Sequence, residues 1–74
     1  MTSEATKIIL LAKNISKFRH RKGYTQNKLC ELAGCSREYL AKLETGLSTP
    51  SLKLIFKIAE ALEISEKQLF DFDN

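Results

Sequence analysis

Apolar residues recur every three or four positions through most of the chain, which is the spacing of one face of an α-helix. The first stripe predicts a helix over residues 6–22 and consists of Ile8, Leu11, Ile15 and Phe18. Two shorter stripes follow, one built on Leu29, Cys30 and Ala33 and the other on Leu40 and Leu43. They predict helices over residues 25–33 and 36–44.

The C-terminal third carries a fourth stripe and a capping signal. A helix over residues 51–62 is predicted to face inward with Leu52, Ile55, Phe56, Ala59 and Leu62. Leu54 falls on the opposite side of this helix, as Leu10 does in the first. Ser65 and Gln68 form a capping-box pattern, which predicts a fifth helix over residues 65–72. The fold class indicated is all-α.

Between the second and third predicted helices, three residues indicate a sharp turn. Thr25 is a good N-cap for the second helix, and Gly34 can end it because glycine adopts the left-handed conformation without a Cβ penalty. Ser36 then caps the third helix, a contribution of about 1 kcal/mol. Two short helices joined this way are typical of a helix-turn-helix.

The third helix has one apolar side, with Leu40 and Leu43, and one polar side. The polar side is suited to a DNA major groove, about 12 Å wide, and we expect its base contacts to come from Arg37, Glu38, Ala41 and Lys42. Arg37 is the first choice for a guanine edge, and Lys42 the second, for a base or a phosphate. Glu38 suits a cytosine amino group or, alternatively, the orientation of Arg37, and Ala41 suits a thymine methyl.

This spacing resembles that of the lambda-repressor/Cro-type (XRE-type, Cro/C1-type) helix-turn-helix family of prokaryotes and phages. The matching positions are Gln26, Leu29, Cys30, Gly34, Ser36, Leu40, Leu43, Glu44, Gly46, Pro50, Ser51 and Leu52. The resemblance covers roughly residues 10–70. Cys30 stands where the family usually has alanine, and Glu63 where glycine often follows the fourth helix.

The resemblance implies a five-helix, lambda-repressor-like domain with the helix-turn-helix at helices two and three. It also implies a sequence-specific transcription regulator that binds a palindromic operator as a homodimer. An ion pair between Arg19 and Glu44 is expected to join the first helix to the third. The run Ser36–Leu40 further resembles the restriction–modification controller proteins of this family.

Candidate phosphate contacts surround the predicted reading helix. The second helix begins at Thr25, Gln26 and Asn27, and a helix N-terminus attracts anions. Resemblance favours Gln26 most strongly. The loop after the third helix contains no Lys or Arg, so further phosphate contacts are expected from the hydroxyl groups of Tyr39, Thr45, Ser48 and Thr49.

Length makes a partner plausible. Seventy-four residues are expected to form one domain, residues 1–74, and a chain this short buries only about 60% of its unfolded surface. At the C-terminal end, the side chains of Leu69, Phe70 and Phe72 provide more apolar surface than is needed to close the core. They are predicted to form a dimer interface.

Charge is unevenly distributed. The net charge is +3, but residues 1–42 have nine basic and three acidic side chains, whereas residues 43–74 have three and six. The basic part contains the reading helix, which suits a polyanionic partner. A solvated basic face without a partner is the alternative.

Other functions are less well supported. Cys30 and Cys35 lack the spacing of a zinc site and are interpreted as reduced packing residues, and no metal, cofactor or small-molecule ligand is expected. His20 has no catalytic neighbours in the sequence, so an enzyme is not expected. The longest apolar run is too short to cross a bilayer, and no signal-peptide pattern is present, which favours the cytoplasm. The remaining alternative is an antitoxin-like or other protein-interaction module with the same fold.

Overall fold

Five α-helices make up most of residues 3–72, the part of the chain that the computed structural model describes. In chain order they are α1 (Glu4–Arg21), α2 (Gln26–Ala33), α3 (Arg37–Glu44), α4 (Leu52–Leu62) and α5 (Glu66–Leu69). The predicted all-α, five-helix fold with a helix-turn-helix at the second and third helices is confirmed. The predicted domain, 1–74, extends two residues beyond the described part at each end.

A hydroxyl side chain caps the N-terminus of every described helix. Each cap accepts a hydrogen bond from a backbone N–H three residues later, and the caps are Ser3, Thr25, Ser36, Ser51 and Ser65. The first helix begins at Glu4, not at residue 6, because Ser3 caps it by accepting from the Thr6 N–H. Such caps satisfy backbone donors that have no partner within the helix.

The core lies where the five helices meet. Its large, fully buried side chains are Ile15, Leu29, Leu40, Leu43, Ile58, Leu62 and Leu69. The most extensive packing is between α2 and α4, while α3 rests on both α1 and α2. Since α3 is supported from two sides, its remaining surface is held in a fixed orientation.

The predicted inward face of α4 is wrong at two positions. Leu52 and Phe56 are 64% and 50% exposed, whereas Leu54 and Ile58 are buried. This helix is apolar around most of its circumference, so periodicity alone does not select the buried side. Packing against α2 selects it, and turns the helix toward Leu54 and Ile58.

The predicted fifth helix is too long. It ends at Leu69, and not at residue 72. Asn14 of α1 is buried, and its Nδ2 donates to the carbonyl oxygens of Leu69, at 2.8 Å, and Asp71, at 3.1 Å. These bonds hold the chain in a non-helical path after Leu69.

Glu63 ends α4 in the left-handed conformation, with φ 58° and ψ 41°. Gly34 ends α2 in the same way, with φ 76°. The N–H of Ile64 then donates to the carbonyl of Ala59 at 3.0 Å, which closes the end of the helix. The turn therefore keeps a geometry that favours glycine, although glutamate occupies it.

Candidate nucleic-acid interface

The outer side of α3 is polar, and its inner side is buried. Leu40 and Leu43 are in the core. Arg37, Glu38 and Lys42 are exposed, and Ala41 between them is half-buried. The structure thus places the four predicted base-contact residues on a surface that the described chain leaves open. Their contacts with bases stay predictions.

A buried ion pair fixes the end of α3. Arg19 Nε donates to Glu44 Oε2 at 2.7 Å and Arg19 Nη2 donates to Glu44 Oε1 at 3.0 Å, a two-point contact between α1 and α3. The two side chains are only 10% and 6% exposed. Arg19 Nη1 also donates to the carbonyl of Tyr24 at 2.8 Å. Two-point arginine–carboxylate pairs constrain geometry as well as charge, so α3 cannot rotate freely on α1.

Gln26 joins the same network from α2. Its Nε2 donates to Glu44 Oε1 at 3.2 Å, and the residue is half-buried. An amide nitrogen carries two hydrogens, so a second donor remains for a phosphate. Thr25 accepts from the Lys28 N–H and keeps its hydroxyl hydrogen, and Asn27 is exposed. The three predicted phosphate contacts therefore lie together at the start of α2.

Tyr39 holds the loop between α3 and α4. Its hydroxyl donates to the carbonyl of Thr49 at 3.2 Å. A phosphate contact by Tyr39, which stays a prediction, requires its hydroxyl hydrogen to leave Thr49. Within the loop Thr49 is exposed and Ser48 is half-buried. Thr45 is exposed at the end of α3, and its hydroxyl donates back to the carbonyls of Ala41 and Lys42.

The proposed dimer residues separate into two groups. The prediction is wrong for Leu69, which is fully buried in the core of its own chain and cannot contact a second copy. Phe70 is 44% exposed and Phe72 is half-buried, and their rings meet edge-to-face with centroids 6.2 Å apart. Together they border an open apolar groove with Ile8 of α1 and Ile55 of α4.

Sequence reasoning missed Asn14. This residue connects α1 to the segment that carries Phe70 and Phe72, through the two carbonyl contacts described above. The sequence shows only that a polar residue, Asn14, lies between Leu11 and Ile15 on the apolar stripe of the first helix. A partner 55 residues away could not be read from that position.

Two observations on the described residues bear on other functions. No group of three or more His, Cys, Asp or Glu side chains within residues 3–72 is arranged to hold a metal ion. In the same range, no helix has both the length and the apolar character needed to cross a membrane.

Solved structures resemble this chain over most of its length. The restriction-modification controller protein C.AhdI from Aeromonas hydrophila is 33% identical, with a TM-score of 0.83 over 85% of this chain and 96% of that one. An HTH_3 family transcriptional regulator from Vibrio cholerae is 27% identical, with a TM-score of 0.87 over 96% of this chain and 40% of that one.

Sequence comparison finds relatives of the same kind. The HTH-type transcriptional regulator SlrR of Bacillus subtilis is 38% identical over 63 residues, which are 84% of this chain and 41% of SlrR. An uncharacterized HTH-type transcriptional regulator of Archaeoglobus fulgidus is 40% identical over 60 residues, 81% of this chain and 86% of that protein. The chain thus spans about two fifths of SlrR. Residues 15–69 match the family HTH_3, described as helix-turn-helix. By this match and these identities, the chain belongs to the HTH_3 (XRE-type) helix-turn-helix family.

Proposed function

We propose that this protein is a transcription regulator that reads DNA sequence with α3 and binds an approximately palindromic operator as a homodimer. The observation that carries the proposal is the outer side of α3. Arg37, Glu38 and Lys42 project from it around the small Ala41, while its inner side is fixed in the core. Relatives named as HTH-type transcriptional regulators support the same function.

Arg37 is the main sequence-reading residue in this proposal. It follows the Ser36 cap directly, so it lies at the end of α3 that would enter the groove first. A guanidinium donates two parallel hydrogen bonds to guanine O6 and N7, worth about 1–3 kcal/mol of discrimination. Glu38 accepts from a cytosine amino group, and its charge disfavours close phosphates. Lys42, one turn further along α3, contacts a base or a phosphate.

Residues around α3 would hold the phosphate backbone. The start of α2 offers unpaired backbone N–H groups, the free hydrogen of Gln26 Nε2 and the Thr25 hydroxyl. Asn27 extends this anion site, and Thr45, Ser48 and Thr49 add hydroxyl groups from the end of α3 and the loop. Such contacts set the position of α3 on the duplex and are insensitive to base sequence.

A second copy of the chain would cover the apolar surface beside α5. Leu52 and Phe56 of α4 are exposed, and helical geometry places Leu52 on one side of α4 with Phe56 and beside Ile55. Ile55 borders the groove with Phe70 and Phe72. We define the proposed dimer surface as Leu52, Phe56, Phe70 and Phe72. A dimer would set two α3 helices about 34 Å apart, one turn of DNA, which requires a palindromic site.

Selection of bound duplexes from a random DNA pool tests the proposal directly. The expected product is an approximate palindrome with half-sites about one turn apart. Binding should also weaken by about 10³–10⁵ between 50 and 200 mM salt, if the dimer makes about 6–10 phosphate contacts. Recovery of no preferred sequence, together with a flat response to salt, would overturn the proposal.

Three substitutions distinguish a residue that reads base sequence from a residue that contacts the phosphate backbone. Arg37→Ala should flatten discrimination among selected sites, whereas Gln26→Ala should weaken all sites alike. Lys13→Ala is the matched control, because Lys13 is an exposed cation of α1 and its loss changes the net charge as much as the loss of Arg37. If Lys13→Ala and Arg37→Ala had the same effect on discrimination, Arg37 would be acting only as a charge.

A further inference from the structure

Both cysteines lie at the turn of the helix-turn-helix. Cys30 is in the last turn of α2 and is buried, while Cys35 lies between Gly34 and the α3 cap, Ser36, and is half-buried. Both thiols are free. Neither takes part in the proposed DNA contacts, so their position at this turn has no role in the function described so far.

The end of α2 brings the backbones of the two cysteines within hydrogen-bonding distance. The N–H groups of Gly34 and Cys35 both donate to the carbonyl of Cys30, at 2.8 and 3.2 Å. In this type of helix end, the side chains of the first and last residues of the closed turn are frequently in contact. Here those residues are Cys30 and Cys35, and Cys35 packs against the buried cluster that contains Cys30. Burial, and then the neighbouring Cys35 thiol, raises the pKa of Cys30 to about 11.

We propose that Cys30 and Cys35 are an oxidisable pair, which a peroxide converts to an intramolecular disulfide that weakens DNA binding. The effect on DNA rests on the proposed function. Formation of the disulfide does not.

Cys35 is the thiol that an oxidant would meet first. It borders an open groove with Ser36, Ser51 and Lys57, whereas Cys30 faces the core. The Cys35 thiolate attacks one oxygen of hydrogen peroxide, breaks the O–O bond and becomes a sulfenic acid, and the hydroxide that leaves takes up the proton lost from Cys35 to give water. The Cys30 thiol then loses its proton as its sulfur attacks the Cys35 sulfur, and the sulfenic hydroxyl leaves with that proton as water. Overall, two thiols and one peroxide give one disulfide and two waters.

The new bond would act on the start of α3. A disulfide holds its sulfurs about 2.05 Å apart, closer than two thiols in contact, so either Cys30 leaves its packed position or Cys35 moves inward. Cys35 immediately precedes Ser36, whose hydroxyl caps α3 by accepting from the Tyr39 N–H at 3.1 Å. A shift there displaces Arg37, the first residue of α3.

The experiment compares the reduced chain with the chain treated with hydrogen peroxide. Intact mass, a free-thiol count and affinity for the selected duplex are measured before and after treatment, and again after dithiothreitol. We expect the loss of two hydrogens, no free thiol and no link between chains. Affinity should fall about tenfold, within the range expected for a misplaced arginine–guanine contact, and dithiothreitol should restore it.

Cys35→Ser and Cys30→Ala are the matched controls, since neither can form the bond. Cys35 is half-buried, so Cys35→Ser should fold, and circular dichroism checks both variants. Each should keep its affinity after peroxide. Oxidation to a sulfinic acid, a disulfide between chains, or a disulfide without loss of affinity would overturn the proposal. If the reduced chain bound no duplex, the proposed function would fail, while mass and thiol count would still decide whether the disulfide forms.

Discussion

At the scale of single residues, Glu44 balances a guanidinium that is almost completely buried. In Glu44→Ala, Arg19 would keep its charge in the same position, with the Tyr24 carbonyl but no carboxylate beside it. Removal of one partner from a buried pair typically costs about 3–5 kcal/mol, because an uncompensated charge remains. Urea unfolding should show that loss of stability with an unchanged m-value.

Glu38→Ala is the control for this prediction. It makes the same substitution in the same helix, but at an exposed position, where surface substitutions change stability by about 0.5 kcal/mol or less. The double variant Arg19→Met/Glu44→Leu removes both charges and should recover much of the lost stability. Equal stability of Glu38→Ala and Glu44→Ala would show that the buried pair does not stabilise α3.

A second prediction at this scale concerns Cys30 and the stability of the chain in alkaline solution. Its pKa rises from 9.0 to about 11 in the folded chain, chiefly because of burial and then because of Cys35. A group with a raised pKa adds stability below its unfolded pKa, and that stability is lost as pH rises through the folded value. The difference in unfolding free energy between the parent chain and Cys30→Ala, measured under reducing conditions, should therefore shrink between pH 9 and 11. A constant difference would contradict this.

At the scale of elements, the end of α4 has a glutamate in a conformation that favours glycine. Glu63 has φ 58°, and a side chain is strained there because its Cβ crowds the backbone. The hydrogen bond from Lys22 lowers the pKa of Glu63, but both groups lie at the surface, where ion pairs contribute little. Glu63→Gly should therefore raise the melting temperature by a few degrees, measured by circular dichroism.

Glu60→Gly provides the opposite case three residues earlier. Glu60 lies inside α4 and is exposed, so glycine there lowers helix propensity by about 1 kcal/mol. The same substitution should thus stabilise the chain at position 63 and destabilise it at position 60. A lower melting temperature for both variants would show that the Lys22 contact outweighs the backbone strain.

The elements also differ in how well the sequence predicts them. For α2 and α3, the apolar spacing coincides with local end signals at Thr25, Gly34 and Ser36, so the boundaries follow from nearby residues. For α4 the apolar residues surround the helix, and packing on α2 decides that Leu54 is buried and Phe56 is not. The end of α5 depends on Asn14, a contact across 55 residues. Long-range packing of this kind is what a single sequence does not display.

At the scale of the whole molecule, the apolar residues that the chain leaves exposed bear on its assembly. In the proposed dimer surface, Leu52, Phe56 and Phe70 are exposed, and Phe70 and Phe72 border an apolar groove that reaches the core residue Ile55. A small chain buries a limited fraction of its surface on folding, and an apolar area continuous with the core is suited to a second copy. The polar side of α3 would then remain free for DNA.

Phe56→Ser tests this arrangement. The side chain is 50% exposed, so its loss should affect association more than folding, and a central aromatic residue typically contributes about 2 kcal/mol or more to an interface. Sedimentation equilibrium should show a shift from dimer to monomer, and binding to the palindrome should become weaker while preference within each half-site is kept.

Leu32→Ser is the matched control, because Leu32 of α2 is 47% exposed but lies outside the proposed surface. Each dimer interface contains two copies of the substituted residue, so the two variants should differ strongly in the fraction of dimer that remains. If Leu32→Ser dissociated the dimer and Phe56→Ser did not, the two copies would meet through α2, and the proposed dimer surface would be wrong.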